Sequence, residues 1–127
     1  MSDERRGVPA IRVAMMPKDT NYLGTIFGGI ILSYIDQAGA VEGHRHSDGR
    51  LVTVALREVE FLAPVHVGDL VSFYATMRRV GNTSITVHVE VIAERQTSDH
   101  EQVLVTEAEV VYVQVDERGQ PLPIRSR

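Results

Sequence analysis

The residues with the clearest chemical potential lie in one stretch, residues 20–40. Asp36 occupies its most apolar part, among Ile, Leu, Ala and Gly residues. An unpaired carboxylate is costly in apolar surroundings, and desolvation raises the pKa of a buried carboxylate toward the range that suits a general base. Asp36 is therefore a candidate general base. Three structural roles stay open for it: capping a kink, pairing with a basic group, or facing solvent at an edge of the fold.

Two glycines, Gly28 and Gly29, open the apolar segment that contains Asp36. Backbone N–H groups are free at the start of a helix, and the positive end of the helix dipole lies behind them. Such a pair can stabilise a carbonyl oxygen as it becomes an oxyanion. Asn21, in the preceding loop, offers an amide that could orient a water molecule or a carbonyl group. Ordinary loop and turn geometry is the more common explanation for such residues.

A hairpin preceded by two arginines forms a second candidate site. Its residues are Arg78, Arg79, Gly81, Asn82, Thr83 and Ser84. Guanidinium groups and turn N–H groups can bind phosphate through charge-assisted hydrogen bonds. A solvated hairpin end has the same composition, so both interpretations remain open.

The composition excludes several kinds of site. The chain has no cysteine, which removes disulfides, thiolate nucleophiles and iron–sulfur clusters. His44 and His46 point in different directions on a helix, so we expect no metal site there and no metal elsewhere. A net charge of −4 argues against nucleic acid as the main partner. We expect no secretory signal and no membrane association, and therefore a cytoplasmic location.

One helix and several long strands must position these residues. The helix runs from Gly28 to about His46, and its apolar residues surround the axis, which is typical of a buried helix. Period-two patterns predict strands at residues 10–16, 51–61, 70–80, 85–91 and 103–115. The economical arrangement is α+β, a curved antiparallel sheet around one central helix. The 127 residues form a single domain with a core at about 10–116 and loose ends at 1–7 and 117–127.

The last predicted strand is apolar on both faces. Leu104, Ala108, Val110 and Tyr112 alternate with Val103, Val105, Val111, Val113 and Val115. A strand of this kind is usually covered on both sides, and one helix can cover only one of them. The sequence therefore predicts that another subunit covers the rest.

Several blocks, taken together, resemble the hotdog-fold acyl-CoA thioesterases of the YciA-like and brain-type acyl-CoA hydrolase group. The resemblance covers about residues 10–116. It rests on DTNYLGTIFGG (19–29), IDQAGA (35–40), GRLVTVA (49–55), FLAPVHVGD (61–69) and RVGNTSI (79–85). The order and spacing of the blocks make it specific.

The resemblance implies a hydrolase that converts acyl-CoA to a free carboxylic acid and CoA, in fatty acid metabolism. Asp36 would be the general base or nucleophile, and Asn21 of a partner subunit would orient water or the carbonyl. The helix start at Gly28 and Gly29 would form the oxyanion hole, and the hairpin at 79–84 would contact coenzyme A. The assembly would be a homodimer with shared active sites, or a trimer of dimers. No cofactor is implied beyond coenzyme A as part of the substrate and product.

Two other functions share this fold. A non-catalytic acyl-CoA or lipid sensor would report through a second domain, and we expect no second domain here. A dehydratase needs a histidine beside the acid, and His44 lies about two helical turns beyond Asp36. The sequence therefore favours the hydrolase. Tyr22, Leu23 and Phe27 stand where the family often has a second Asn or a His, which leaves the substrate preference open.

Overall fold

Over residues 7–125, one α-helix and a five-stranded sheet make up the fold. The computed structural model describes residues 7–125, so most of the predicted loose segment at 1–7 lies outside the described residues. The elements in chain order are β1 (Ile11–Ala14), a 3-10 turn (Pro17–Asp19), α1 (Gly28–Gly43), β2 (Arg50–Arg57), β3 (Leu70–Val80), β4 (Ser84–Glu94) and β5 (Gln102–Val115). These elements confirm the predicted α+β class.

All strand pairs are antiparallel, and the order across the sheet is β1-β3-β4-β5-β2. Alternate residues of β4 (Ile85, Val87, Val89 and Val91) are fully buried and form the centre of the core. The helix packs on this face through Ile31, Ile35 and Ala38. The strand that follows α1, β2, lies at the edge of the sheet and, within the described residues, pairs only with β5.

The helix is buried along one face only, so the prediction of burial all round is wrong for the single chain. Ser33, Gln37 and Val41 are exposed. The reason is that the sheet covers only one side of α1. The helix also ends at Gly43 rather than near His46, and the chain continues in a turn in which the His46 N–H donates to the Gly43 carbonyl at 3.0 Å.

The predicted faces of the last strand require a correction at its start. The register of β4 against β5 passes from Val91–Thr106 to Ile92–Leu104, which leaves Val105 as the extra residue of a β-bulge. The bulge turns Val105 into the core, on the same side as Val110. The sequence period placed it on the opposite face because a bulge changes the alternation without any compositional signal.

Residues 117–125 of the C-terminal segment lie mostly exposed at the periphery of the fold, and hydrogen bonds connect them to β5. After β5 the chain turns at Asp116, whose Oδ1 accepts from the N–H groups of Arg118 (2.8 Å) and Gln120 (2.9 Å). Gly119 has a φ of +82°, which favours glycine at this turn. The chain then returns along β5, where Val115 and Pro121 form a bridge.

Candidate active site

Asp36 lies on α1 at the edge of the sheet, next to β2. Its Oδ1 accepts a hydrogen bond of 2.6 Å from the Thr53 hydroxyl. The side chain is half-buried, which corrects the expectation of full burial. A hydroxyl that donates to a carboxylate makes a strong, charge-assisted bond. The carboxylate is thus held from one side by a strand residue.

A buried tyrosine supports the helical turn that carries Asp36. The Tyr112 hydroxyl donates to the backbone carbonyl of Asp36 at 2.6 Å, and Tyr112 is only 1% exposed. Burial, and next the negative charge of Asp36, raise the pKa of Tyr112 well above its ordinary value. The phenol therefore stays protonated and remains a donor at physiological pH.

Gly39 makes this tyrosine contact possible. A Cβ at position 39 would lie 2.3 Å from the Tyr112 hydroxyl oxygen and 3.2 Å from its ring. Thr53 and Tyr112 are the site residues that sequence reasoning missed. The one available signal was a glycine in the middle of a helix, which is unfavourable there unless another group approaches the backbone closely.

The start of α1 is where the sequence predicts an oxyanion site. Phe27 occupies the N-cap position, and it makes no side-chain capping hydrogen bond. The first N–H groups of a helix, here those of Gly28 and Gly29, have no acceptor within the helix. A Cβ at position 29 would lie 2.6 Å from the ring of Phe27, an exposed side chain that would have to move.

An apolar pocket of about 330 Å³ adjoins this helix start. Its lining comprises Ile26, Gly28, Ile31, Phe61, Leu62, Ala63, Pro64 and Val65. Most of these residues belong to the segment between β2 and β3, which crosses in front of the helix. No sequence pattern predicts this pocket, because its wall is made by an irregular segment.

Asn21 organises the loop that precedes the helix. Its Oδ1 accepts from the N–H groups of Leu23 (2.8 Å) and Thr25 (3.2 Å), and its Nδ2 donates to the Thr25 hydroxyl at 3.1 Å. This is the turn role that the sequence left open. The side chain is half-buried, and its amide can donate one further hydrogen bond.

Asp36 and the glycine pair lie far apart within one chain. Positions 28 and 36 are separated by roughly two turns of helix, or about 12 Å along its axis. A thioester carbonyl held at the helix start is therefore out of reach of Asp36 on the same helix. The structure brings Thr53 and Tyr112 to Asp36, but it does not bring Gly28 or Gly29 there.

Backbone hydrogen bonds surround the turn of the candidate phosphate-binding hairpin. The Gly81 N–H donates to the Ser84 carbonyl at 2.7 Å, and the Thr83 carbonyl accepts from the Gln114 N–H at 2.9 Å. Arg79 and Asn82 are exposed.

Arg78 differs from Arg79 in its surroundings. The register of β3 against β4 passes from Met77–Val87 to Arg79–Thr86, so Arg78 is the extra residue of a bulge. It lines a polar depression together with Glu58, His88, Glu107 and Glu109. Carboxylates suit a guanidinium but repel a phosphate, so Arg79 is the better candidate of the two.

The described part of the chain offers neither a metal site nor a spanning helix. Within residues 7–125, no three His, Asp or Glu side chains are placed to hold a metal ion. His46 instead pairs with Glu42 at 2.9 Å. None of the helices in the same range has the length and apolar character needed to cross a membrane.

Comparison with known proteins decides the family. Residues 23–99 match the family described as the thioesterase superfamily. This chain belongs to that family. The thioesterase is 46% identical to an uncharacterized acyl-CoA thioester hydrolase of Buchnera aphidicola, over 91% of this chain and 87% of the relative. It is 39% identical to the acyl-CoA thioester hydrolase YciA of Salmonella typhimurium, over 98% of this chain and 95% of the relative.

A solved structure extends the comparison to the fold. The thioesterase superimposes on a hexameric hotdog fold thioesterase of Campylobacter jejuni with a TM-score of 0.88 and 45% identity, over 94% of this chain and 92% of the other. The predicted hotdog fold and the resemblance to the YciA-like thioesterases are therefore confirmed. The catalytic roles of individual residues remain predictions.

Proposed function

We propose that this thioesterase hydrolyses acyl-CoA to a free carboxylic acid and coenzyme A, with Asp36 as the reacting carboxylate. The observation that carries the proposal is the hydrogen bond between Thr53 and Asp36, which holds a half-buried carboxylate in one orientation. Acyl-CoA is the substrate class because the relatives named above are acyl-CoA thioester hydrolases.

The reaction follows from what each group can do. As a general base, Asp36 takes a proton from water while the water oxygen attacks the thioester carbonyl carbon. The carbonyl oxygen gains negative charge, which the N–H groups of a helix start can stabilise. The carbon–sulfur bond then breaks, and the departing thiolate takes up the proton that Asp36 held. As a nucleophile, the Asp36 carboxylate would instead attack the carbonyl carbon and expel the coenzyme A thiolate, which forms an anhydride. Water would then hydrolyse the anhydride to the free acid and the Asp36 carboxylate, and the proton released would pass to the thiolate.

The site is shared between two chains in this proposal. Asp36 cannot reach the helix start of its own chain, because about 12 Å separates them along the axis. A twofold-related partner would place its Asn21 and its Gly28–Gly29 N–H groups against Asp36, and two equivalent sites would result.

The free edge of the sheet offers the surface for such a dimer. Val52 and Val54 are exposed on β2 at 39% and 56%, on either side of Thr53. An unpaired edge strand is a template for pairing with another chain. A hexamer built from three such dimers is the larger assembly that the resemblance implies.

The two ends of the substrate fit different features. The apolar pocket beside Gly28 suits the acyl chain, because a carbonyl held at the helix start would direct the chain into it. The hairpin with Arg79 suits the phosphates of coenzyme A. The cytoplasmic location stays part of the proposal.

Release of free thiol from a panel of short, medium, long and aromatic acyl-CoAs tests the proposal. The expected result is turnover of at least one class that disappears in Asp36→Asn. Binding of acyl-CoA without any thiol release would contradict the hydrolase and indicate a non-catalytic acyl-CoA-binding module. A variant with an exposed carboxylate removed, Asp99→Asn, is the matched control.

A further inference from the structure

The C-terminal residues form a strap, residues 116–125, which the proposed reaction does not use. The strap runs back along β5, and the Leu122 N–H donates to the Gln114 carbonyl at 2.8 Å. The amide side chain of Gln114 donates to the Pro123 carbonyl at 3.0 Å. Two consecutive residues of the strap are thus bound by one residue of β5.

Gln114 is itself held by a buried polar contact. It is only 7% exposed, and its Oε1 accepts a hydrogen bond from the hydroxyl of Ser47, which is 2% exposed. The Ser47 hydroxyl also accepts from the Gly49 N–H at 3.1 Å. A satisfied buried network of this kind fixes the orientation of its members. The strap is therefore anchored to the segment between α1 and β2.

The far end of the strap reaches the β3–β4 hairpin. The Ile124 N–H donates to the Asn82 carbonyl at 2.7 Å, and the half-buried Ile124 side chain packs against the core. The next carbonyl of the turn, that of Thr83, accepts from the Gln114 N–H at 2.9 Å. The Asn82 carbonyl is thus bound by the strap, and the Thr83 carbonyl is bound by β5.

These two bonds set the orientation of the turn. A peptide group is planar and trans, so its N–H points away from its carbonyl. When Ile124 binds the Asn82 carbonyl, the Thr83 N–H must point away from the strap. The exposed side chain of Asn82 lies in this turn. The exposed Arg79 lies on β3, one residue before the strand ends. The strap thereby holds the groups that would meet a phosphate.

We infer that the strap positions the hairpin for the nucleotide end of coenzyme A, through the hydrogen bond from Ile124 to Asn82. The inference rests on the proposed function for the identity of the ligand. The strap touches neither the reacting carboxylate nor the apolar pocket. It should therefore determine affinity for the phosphorylated nucleotide without changing the chemical step.

Two substitutions at one position isolate this hydrogen bond. Ile124→Pro removes the N–H donor, whereas Ile124→Ala keeps the donor and removes most of the side-chain packing. We expect the Kd for coenzyme A, measured by calorimetry, to rise by roughly ten-fold in Ile124→Pro, the loss of about one hydrogen bond to an ordered group. The Kd of Ile124→Ala should change by less than about three-fold. Pantetheine, which lacks the nucleotide, should bind all three proteins alike.

Steady-state kinetics of the same variants give an independent measurement. KM for acyl-CoA should rise in Ile124→Pro while kcat stays near that of the wild type, and both constants for acyl-pantetheine should stay unchanged. Circular dichroism tests whether each variant is folded. If Ile124→Pro does not fold, a chain truncated after Gln120 replaces it, and a chain truncated after Arg125 is then the control.

The outcomes separate this inference from the proposed function. Equal coenzyme A affinity in Ile124→Pro and the wild type overturns the inference, as does an equal loss of affinity for pantetheine. A wild-type chain that binds coenzyme A but releases no thiol overturns the proposed function and leaves the inference standing. A wild-type chain that does not bind coenzyme A overturns both.

Discussion

The Tyr112 hydroxyl donates to the backbone carbonyl of Asp36 from inside the core, at 2.6 Å. The Thr53 hydroxyl donates to the carboxylate of the same residue from the sheet edge, also at 2.6 Å. The backbone and the side chain of Asp36 are thus fixed by separate strands. Two contacts of this kind can hold a reacting group in a productive orientation without help from a metal.

Removal of the tyrosine hydroxyl should loosen the helical turn that carries Asp36. Tyr112→Phe should lower the free energy of unfolding by about 1 kcal/mol, the typical contribution of one hydrogen bond. It should also lower kcat several-fold, because Asp36 loses its support. Denaturant titration and thiol release measure the two effects. Tyr34→Phe, at a tyrosine whose ring packs against Phe73 of β3, is the control and should change neither.

Gly39→Ala should be destabilising because of the same tyrosine. The new Cβ would lie 2.3 Å from the Tyr112 hydroxyl, and overpacking of this kind costs about 1–3 kcal/mol. In a Tyr112→Phe background the nearest atom is gone and the remaining ring contacts are at 3.2 Å. The cost of Gly39→Ala should therefore be smaller there. Equal costs in both backgrounds would show that the two residues are not coupled.

Loss of the Thr53 hydroxyl should affect catalysis more than stability. Thr53 is exposed on the edge strand, so Thr53→Val should change the free energy of unfolding little. Its kcat should fall by roughly 10- to 100-fold, since the carboxylate loses a charge-assisted hydrogen bond. Thr53→Ser keeps the hydroxyl and should retain most of the activity. A Val variant as active as the Ser variant would remove Thr53 from the site.

The ionisation of Tyr112 should make the fold sensitive to alkali. Its pKa is raised above 10.0, the ordinary value, mainly by burial and next by Asp36. The unfolded chain therefore loses this proton first, and stability should fall as pH rises above about 10. Below that pH the proton is bound in both states and the effect is absent. Unfolding titrations between pH 8 and 11 should show a shallower decline in Tyr112→Phe than in the wild type.

A larger residue in the apolar pocket should shorten the accepted acyl chain. Ala63 is half-buried in the pocket wall, so Ala63→Phe should occupy part of the 330 Å³. We expect kcat/KM to fall at least ten-fold for long acyl-CoAs and to change little for short ones, as a few lost apolar contacts would predict. Parallel losses for all chain lengths would place the acyl chain elsewhere.

Local patterns made the elements and part of the site predictable from the sequence. A few neighbouring residues suffice to predict the buried alternation of β4. The same is true of the glycine pair at the helix start and of the acid at position 36. The contacts of Thr53 and Tyr112 with Asp36 are not, because both residues reach it through strand register. That register includes irregularities, such as the shift between Thr53 and Ala55 in β2. The bonded strap was missed for the same reason, since its partners Gln114 and Asn82 lie on other elements.

The central claim is that each active site combines Asp36 of one chain with Asn21 of another. Asp36→Asn should abolish thiol release from acyl-CoA, and Asn21→Ala should lower it by one to a few orders of magnitude. When the two inactive variants are unfolded together and refolded as mixed oligomers, one site in each mixed dimer receives both intact residues. With equal amounts and random pairing, about half of the dimers are mixed, so thiol release should recover to roughly a quarter of the wild-type rate per chain. Activity no higher than the average of the two separate variants, in oligomers shown to be mixed, would contradict the shared site.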